Sequence, residues 1–97
     1  MVEVRWSPQA ADDLEAIRSF IGKDSPSYAA IFGEKIVASV ESLNHNPERG
    51  RIVPETKDPS IREIFLKKYR IIYRISVEAV EIITIIHGSR DFSKFKP

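Results

Sequence analysis

The sequence predicts an α+β domain of order β-α-α-β-β-β, an antiparallel sheet with an N-terminal helical hairpin packed on one face. Three observations carry this prediction. Two Ser-Pro pairs, Ser7-Pro8 and Ser25-Pro26, each open a stretch whose apolar residues recur every three or four positions. From Arg62 onward the recurrence shortens to the two-residue period of strands. The connections there shrink to Lys67-Lys68 and Ser76-Val77-Glu78, too short for anything but antiparallel neighbours. The 97 residues make a single domain, 1–97, with one core of modest size.

Val2, Val4 and Trp6 alternate with Glu3 and Arg5, a short strand with one wet face that completes the sheet at an edge. Ser7 is a good N-cap, and Pro8 sits where a missing N–H is harmless. Asp12 and Asp13 lie near the positive end of the helix dipole. Ala10, Leu14, Ile17 and Ile21 form the apolar stripe, and Gly22 is the expected left-handed stop. Ser25 and Pro26 repeat the start signal for a second helix running to about Leu43 or Asn44, with Ala29, Phe32, Ile36, Val40 and Leu43 as its stripe.

Pro47, Gly50, Pro54 and Pro59 break any pattern between Asn44 and Ser60, leaving room for a brief extended piece at Ile52-Val53. Three strands follow, at about Arg62–Leu66, Arg70–Ile75 and Val80–His87. The tail after Gly88 forms a short helical turn around Phe92 and Phe95.

Composition removes several classes of function. At 42% hydrophobic and 30% charged the chain is an ordinary globular protein. With no cysteine there is no disulfide framework and no thiolate nucleophile, and two histidines without suitably spaced carboxylates make no metal site. No apolar run approaches the roughly 20 residues of a membrane span, and no signal-peptide core precedes the first strand, so a cytoplasmic protein is expected. No cofactor-binding motif is present. Gly22, Gly33, Gly50 and Gly88 are isolated and match no phosphate-binding loop.

Charge is divided unevenly. Residues 1–48 hold four Lys/Arg against eight Asp/Glu, and residues 49–97 hold eleven against six, so the halves carry −4 and +5. The densest stretch is Arg62 to Arg74, with Arg62, Lys67, Lys68, Arg70 and Arg74 in thirteen residues. Strand parity puts Tyr69, Ile71, Tyr73 and Ile75 on one face and Arg70, Ile72 and Arg74 on the other. In the last strand Val80, Ile82, Thr84 and Ile86 oppose Glu81, Ile83, Ile85 and His87. The helices cover one face. The second becomes a mixed apolar and cationic patch suited to a partner, or its arginines pair with Glu63 and Glu81 within the fold.

Read along the chain, Trp6-Ser7-Pro8-x-Ala10, Asp13-Leu14-x-x-Ile17, Asp24-Ser25-Pro26-x-x-Ala29 and Leu43-x-x-x-Pro47-x-x-Gly50-Arg51 occur in order. Arg62-Glu63-Ile64, Tyr69-Arg70-Ile71-Ile72-Tyr73 and His87-Gly88-Ser89-Arg90-Asp91 follow. This series resembles toxins of the RelE/ParE superfamily, the killing halves of type II toxin–antitoxin pairs, over nearly the whole length and closer to the ParE-like branch.

The resemblance implies a cognate antitoxin whose acidic segment folds on binding and engages Arg62, Arg70, Ile72 and Arg74. It implies a toxic activity in which His87 and Arg90 take part, directed at DNA gyrase. The alternative it carries is a metal-free endoribonuclease acting on messenger RNA at the ribosome, with Arg62, Arg70, His87 and Arg90 as acid/base and phosphate-binding groups. The tail, with Phe92 and Phe95 but no tyrosine, and the sparse Arg49, Arg51 and Lys57 favour the gyrase branch. Sequence-specific DNA binding is not expected of this chain, because no helix-turn-helix is visible and both helices lean acidic.

Overall fold

The two Ser-Pro signals become the two helices that cover the sheet. The computed structural model describes residues 1–94. Its elements are β1 (Glu3–Trp6), α1 (Pro8–Gly22), α2 (Pro26–Glu41), β2 (Arg51–Ile52), β3 (Ile61–Leu66), β4 (Tyr69–Ile75) and β5 (Ala79–His87). Single 3-10 turns lie at Ser42–Asn44, Pro47–Arg49 and Phe92–Lys94. Both serines cap as their chemistry requires. Ser7 Oγ accepts from the Ala10 N–H at 3.0 Å and Ser25 Oγ from the Tyr28 N–H at 3.2 Å. Gly22 is not a left-handed stop, since no described glycine has positive φ. The chain turns instead because the Asp24 and Ser25 N–H groups both donate to the Ile21 carbonyl, at 3.1 and 3.0 Å.

The sheet has five strands in the order β1-β5-β4-β3-β2. It is mixed, not antiparallel throughout: β1 lies at the edge as expected but runs parallel to β5, pairing Glu3 with Ala79 and Trp6 with Ile82. The two parallel neighbours are joined through the helical hairpin and the three intervening strands β2, β3 and β4, a connection far longer than the dozen or so residues a parallel pair needs. The extra strand is β2, whose two residues pair with Glu63 and Arg62. At the β3–β4 turn, which lacks an Asn-Gly signature, Lys67 takes the left-handed conformation itself, with φ 54°.

Under the helices Leu14, Ile17, Phe32, Ile36, Val40 and Leu43 pack on Ile64, Ile71, Tyr73, Val80, Ile82 and Ile85. The face assignment of β5 differs from simple alternation. Ile72 pairs with Thr84 and Tyr73 with Ile82, so Ile83 is an extra residue at a β-bulge. Beyond the bulge Ile85 joins Val80 and Ile82 beneath the helices, while Ile86 joins Ile83 on the second face. Asp13 crosses from α1 to this irregularity, its Oδ2 accepting from the Thr84 hydroxyl and, at 2.9 Å, from the Ile85 N–H. Thr84 is fully buried. Asp13→Ala is therefore expected to lower stability by about 1–3 kcal/mol, because two buried donors lose their acceptor. Urea denaturation measures this, and an unchanged midpoint would mean water replaces the carboxylate.

The second face is not the open patch expected. Val53 and Phe92 cover it and, with Ile61, Ile72, Ile83 and Ile86, make a second small core in which Val53 and Ile72 have no exposed surface. Among the described residues no helix is long and apolar enough to cross a membrane. The expectation for Phe95 lies outside the described residues.

Candidate functional site

Arg70 sits on the second face at the centre of the polar architecture. The residue is only 4% exposed, a burial that requires nearly every guanidinium N–H to find an acceptor. Nε donates to Glu63 Oε1 at 2.6 Å. The two terminal nitrogens hold Glu55 in a bidentate fork at 2.8 and 2.9 Å, and one of them also donates to the Arg90 carbonyl at 2.8 Å. Glu63 is buried too, and its other oxygen accepts from Arg51 Nε at 2.7 Å. Arg51 in turn lies over the exposed Phe65 ring, 5.2 Å from its centroid. Hydrogen bonding from Arg70 holds the Glu55 carboxyl down at about 2, overcoming the burial that opposes ionisation, and the same carboxylate raises the Arg70 pKa.

The end of β5 turns on this cluster. Gly88 N–H donates to the Lys68 carbonyl at 2.7 Å, and Arg90 N–H to the His87 carbonyl at 3.0 Å. Phe92 N–H donates to Glu55 Oε2 at 3.0 Å while its ring enters the second core. His87 is exposed, with Nδ1 accepting from the Ser89 N–H at 3.2 Å and lying 2.8 Å from the Ser89 hydroxyl. That leaves Nε2 as the protonated nitrogen of the neutral ring. The imidazole makes a T-shaped contact with Tyr69, ring centroids 6.0 Å apart, and Tyr69 packs on Phe32. The Arg90 residue is exposed, although its backbone is tied down.

Arg62 lies elsewhere. On β3 it opposes Tyr73 and donates to the Gly50 carbonyl at 3.0 Å and the Pro59 carbonyl at 3.2 Å. Leu66, four residues further along, is the β3 residue level with Tyr69 and His87, so Arg62 and His87 are separated by roughly 13 Å along the strand direction alone. Arg74 is exposed, level with Ile61 and Glu81. It borders a cleft of about 490 Å³ shared with Ser7, Gln9, Asp12, Glu81 and Ile83. Of the residues singled out from sequence, the structure thus joins Arg70 to the His87–Arg90 turn and leaves Arg62 and Arg74 apart from it. Ile72 is wholly buried.

Glu55, and the contact that joins Gly50 to Tyr73, were not legible in the sequence. Glu55 lies in the irregular segment, where no periodicity assigns it a face. Gly50 and Tyr73 form a buried joint: Tyr73 Oη accepts from the Gly50 N–H at 2.9 Å and donates to the Pro47 carbonyl at 2.6 Å. Burial pushes the Tyr73 phenol up. The available signal was Leu43-x-x-x-Pro47-x-x-Gly50, whose spacing was visible but not its tyrosine partner.

With this geometry in place, comparison with known proteins defines the class. A family model described as the ParE toxin of the parDE type II toxin–antitoxin system matches residues 4–92. The chain is 35% identical over 91 residues to Toxin RelE2 of Caulobacter vibrioides, covering 93% of this chain and 99% of that protein. It is also 35% identical over 91 residues to Putative toxin Y4kP of Sinorhizobium fredii, covering 92% and 91%. In fold it is similar to a chain of the chromosomal ParDE toxin–antitoxin system from P. aeruginosa, with TM-score 0.75, 24% identity and coverage of 90% and 96%. It is likewise similar to a chain of the toxin–antitoxin complex RelBE2 from Mycobacterium tuberculosis, with TM-score 0.61, 23% identity and coverage of 89% and 96%. The class is a type II toxin. The chain belongs to the ParE toxin family, within the RelE/ParE superfamily.

Proposed function

We propose that this toxin acts by inhibiting DNA gyrase, and that its cognate antitoxin neutralises it through an acidic segment that folds on binding. The observation that supports the gyrase reading is the dispersal of the groups that RNA cleavage would need. Cleavage at a 2′-hydroxyl asks for a base, an acid and cations around one phosphate. Arg70 is instead enclosed by Glu55, Glu63 and the Arg90 carbonyl, and Arg62 is turned to Gly50 and Pro59. His87 and Arg90 remain together on an exposed turn, an arrangement suited to contact with a protein surface.

The test pairs a supercoiling assay on purified gyrase with primer extension on translated messenger RNA. Loss of supercoiling with intact messenger is expected. Codon-linked cuts with normal supercoiling would transfer the toxin to the ribonuclease reading, with His87 as its acid/base group.

For the antitoxin, Arg62, Arg70, Ile72 and Arg74 divide into two roles. Burial keeps Arg70 and Ile72 from direct contact in the isolated fold, so they shape the surface, and Arg62 and Arg74 offer the charge. Arg74→Glu is expected to weaken antitoxin binding by about tenfold or more, because repulsion replaces attraction at an exposed position. The dissociation constant should also lose part of its salt dependence. A constant unchanged at both low and high salt would move the antitoxin surface away from Arg74.

A further inference from the structure

Residues 53–60 form a self-bonded loop whose purpose the hairpin alone does not explain. The Val53 carbonyl accepts from the N–H groups of Thr56 and Lys57, both at 3.1 Å, and Lys57 adopts φ 55°. The Asp58 N–H donates to Thr56 Oγ1 at 3.2 Å, and Asp58 Oδ1 accepts from the Ser60 N–H and hydroxyl at 2.9 and 2.8 Å. A loop so fully bonded to itself presents Glu55 at a fixed place.

That place faces the tail from beneath. Glu55 Oε2 accepts from both Arg70 and the Phe92 N–H, while Arg70 reaches the Arg90 carbonyl. The backbone is therefore gripped on both sides of Asp91 by the two halves of one ion pair, and the buried Phe92 ring closes the grip. Asp91 then accepts from the Ser93 N–H at 2.9 Å and begins the final 3-10 turn. Upstream, the Gly88 and Arg90 N–H bonds hold the start of the same segment.

We infer that Glu55 is a positioning residue for toxicity: acting with Arg70, it fixes the backbone that presents His87 and Arg90. The inference rests on the reading that these two side chains meet the target. Preorganised presentation avoids ordering the tail at the moment of contact, and that ordering is what a loosened clamp would add to the cost of binding. Glu55 is bonded to neither Arg62 nor Arg74, the two arginines that offer charge to the antitoxin. Arg70 keeps Glu63 when Glu55 is lost, so antitoxin binding is expected to respond less than target binding.

The experiment uses the full chain with Glu55→Ala, Glu55→Gln and Arg90→Ala. It reads amide hydrogen exchange, gyrase inhibition, growth arrest on induction and antitoxin affinity, each corrected for folded fraction. For Glu55→Ala, exchange at Phe92 is expected to rise about tenfold, because the amide loses its acceptor. Half-inhibition of gyrase should need about tenfold more toxin, with antitoxin affinity changed less than about threefold. Glu55→Gln keeps an oxygen for the Phe92 N–H and should fall between wild type and Glu55→Ala.

Faster exchange with undiminished inhibition would overturn the inference, as would inhibition that falls only in step with the folded fraction. If the alanine variant does not fold, the glutamine variant carries the same comparison. If the wild type leaves gyrase untouched, the target reading fails, and growth arrest by the same variants then decides for or against the clamp. Growth arrest undiminished in Glu55→Ala would overturn the clamp whichever target is correct.

Discussion

Arg70→Met is expected to destabilise the fold by about 3 kcal/mol, at the lower end of the range for breaking a buried ion pair. The direction follows from what remains behind. Glu63 has no exposed side-chain surface and would keep only Arg51, itself 60% exposed. Glu55, at 22% exposure, can recover part of its hydration, and this holds the loss below the upper end of the range. The Arg90 carbonyl also loses its donor. Urea denaturation of wild type, Arg70→Met, Glu63→Gln and the double variant separates these contributions. The double variant should be more stable than Arg70→Met alone, because the stranded buried charge is gone. A double variant no more stable than the single would mean that Arg51 suffices for Glu63.

The same change alters the acid limb of stability. The Glu55 carboxyl is held at about 2, below its ordinary 4.5. A carboxylate depressed in the folded state contributes stability that is fully present above the unfolded value and is lost as pH falls through the folded one. Wild type should therefore lose this contribution between about pH 4.5 and pH 2, by at most roughly 3 kcal/mol and by less after allowance for partial exposure. In Arg70→Met that part of the pH dependence should flatten. An acid limb of the same slope in both proteins would assign the depression to something other than Arg70.

How far such features are legible depends on whether a residue's neighbours are periodic. Ser7-Pro8 and Ser25-Pro26 predict helix starts because capping is local, and both side chains make the predicted bonds. Parity placed Arg70, Ile72 and Arg74 on one face correctly, since β4 keeps its alternation. It failed in β5, where Ile82-Ile83-Thr84-Ile85-Ile86 offers apolar side chains to both faces and nothing local marks the extra residue. The direction of β1 could not be read either, because its partner lies more than seventy residues away. The second face was taken as open because Val53 and Phe92, which cover it, belong to aperiodic segments. The pairing of Arg70 with Glu63 on β3 was legible from strand positions. Its second carboxylate, Glu55, comes from a loop with no assigned face, so the cationic stretch looked more available than it is.

Gly50→Ala is the second substitution expected to have a large effect, about 3 kcal/mol, from overpacking and disrupted hydrogen bonds together. Gly50 has an ordinary extended conformation, φ −78° and ψ 160°, so backbone strain plays no part. The obstacle is space. An added Cβ would lie 2.5 Å from both the Glu63 carbonyl oxygen and Tyr73 Oη. One neighbour is β3 backbone and the other belongs to a fully buried ring, so neither can move cheaply. Retreat of the phenol would break its bonds to Gly50 and Pro47, and displacement of Gly50 would pull its carbonyl from Arg62. Tyr73→Phe alone should cost about 1–3 kcal/mol, since it strands the buried Gly50 N–H. In that background Gly50→Ala should cost less than it does alone, because one of the two clashing atoms is absent. Antitoxin affinity supplies the functional half of the test. Gly50→Ala should weaken it more than Asp13→Ala does at equal folded fraction, since only the former disturbs the carbonyl that orients Arg62. Equal affinities would confine the joint to stability and leave Arg62 without a part in antitoxin binding.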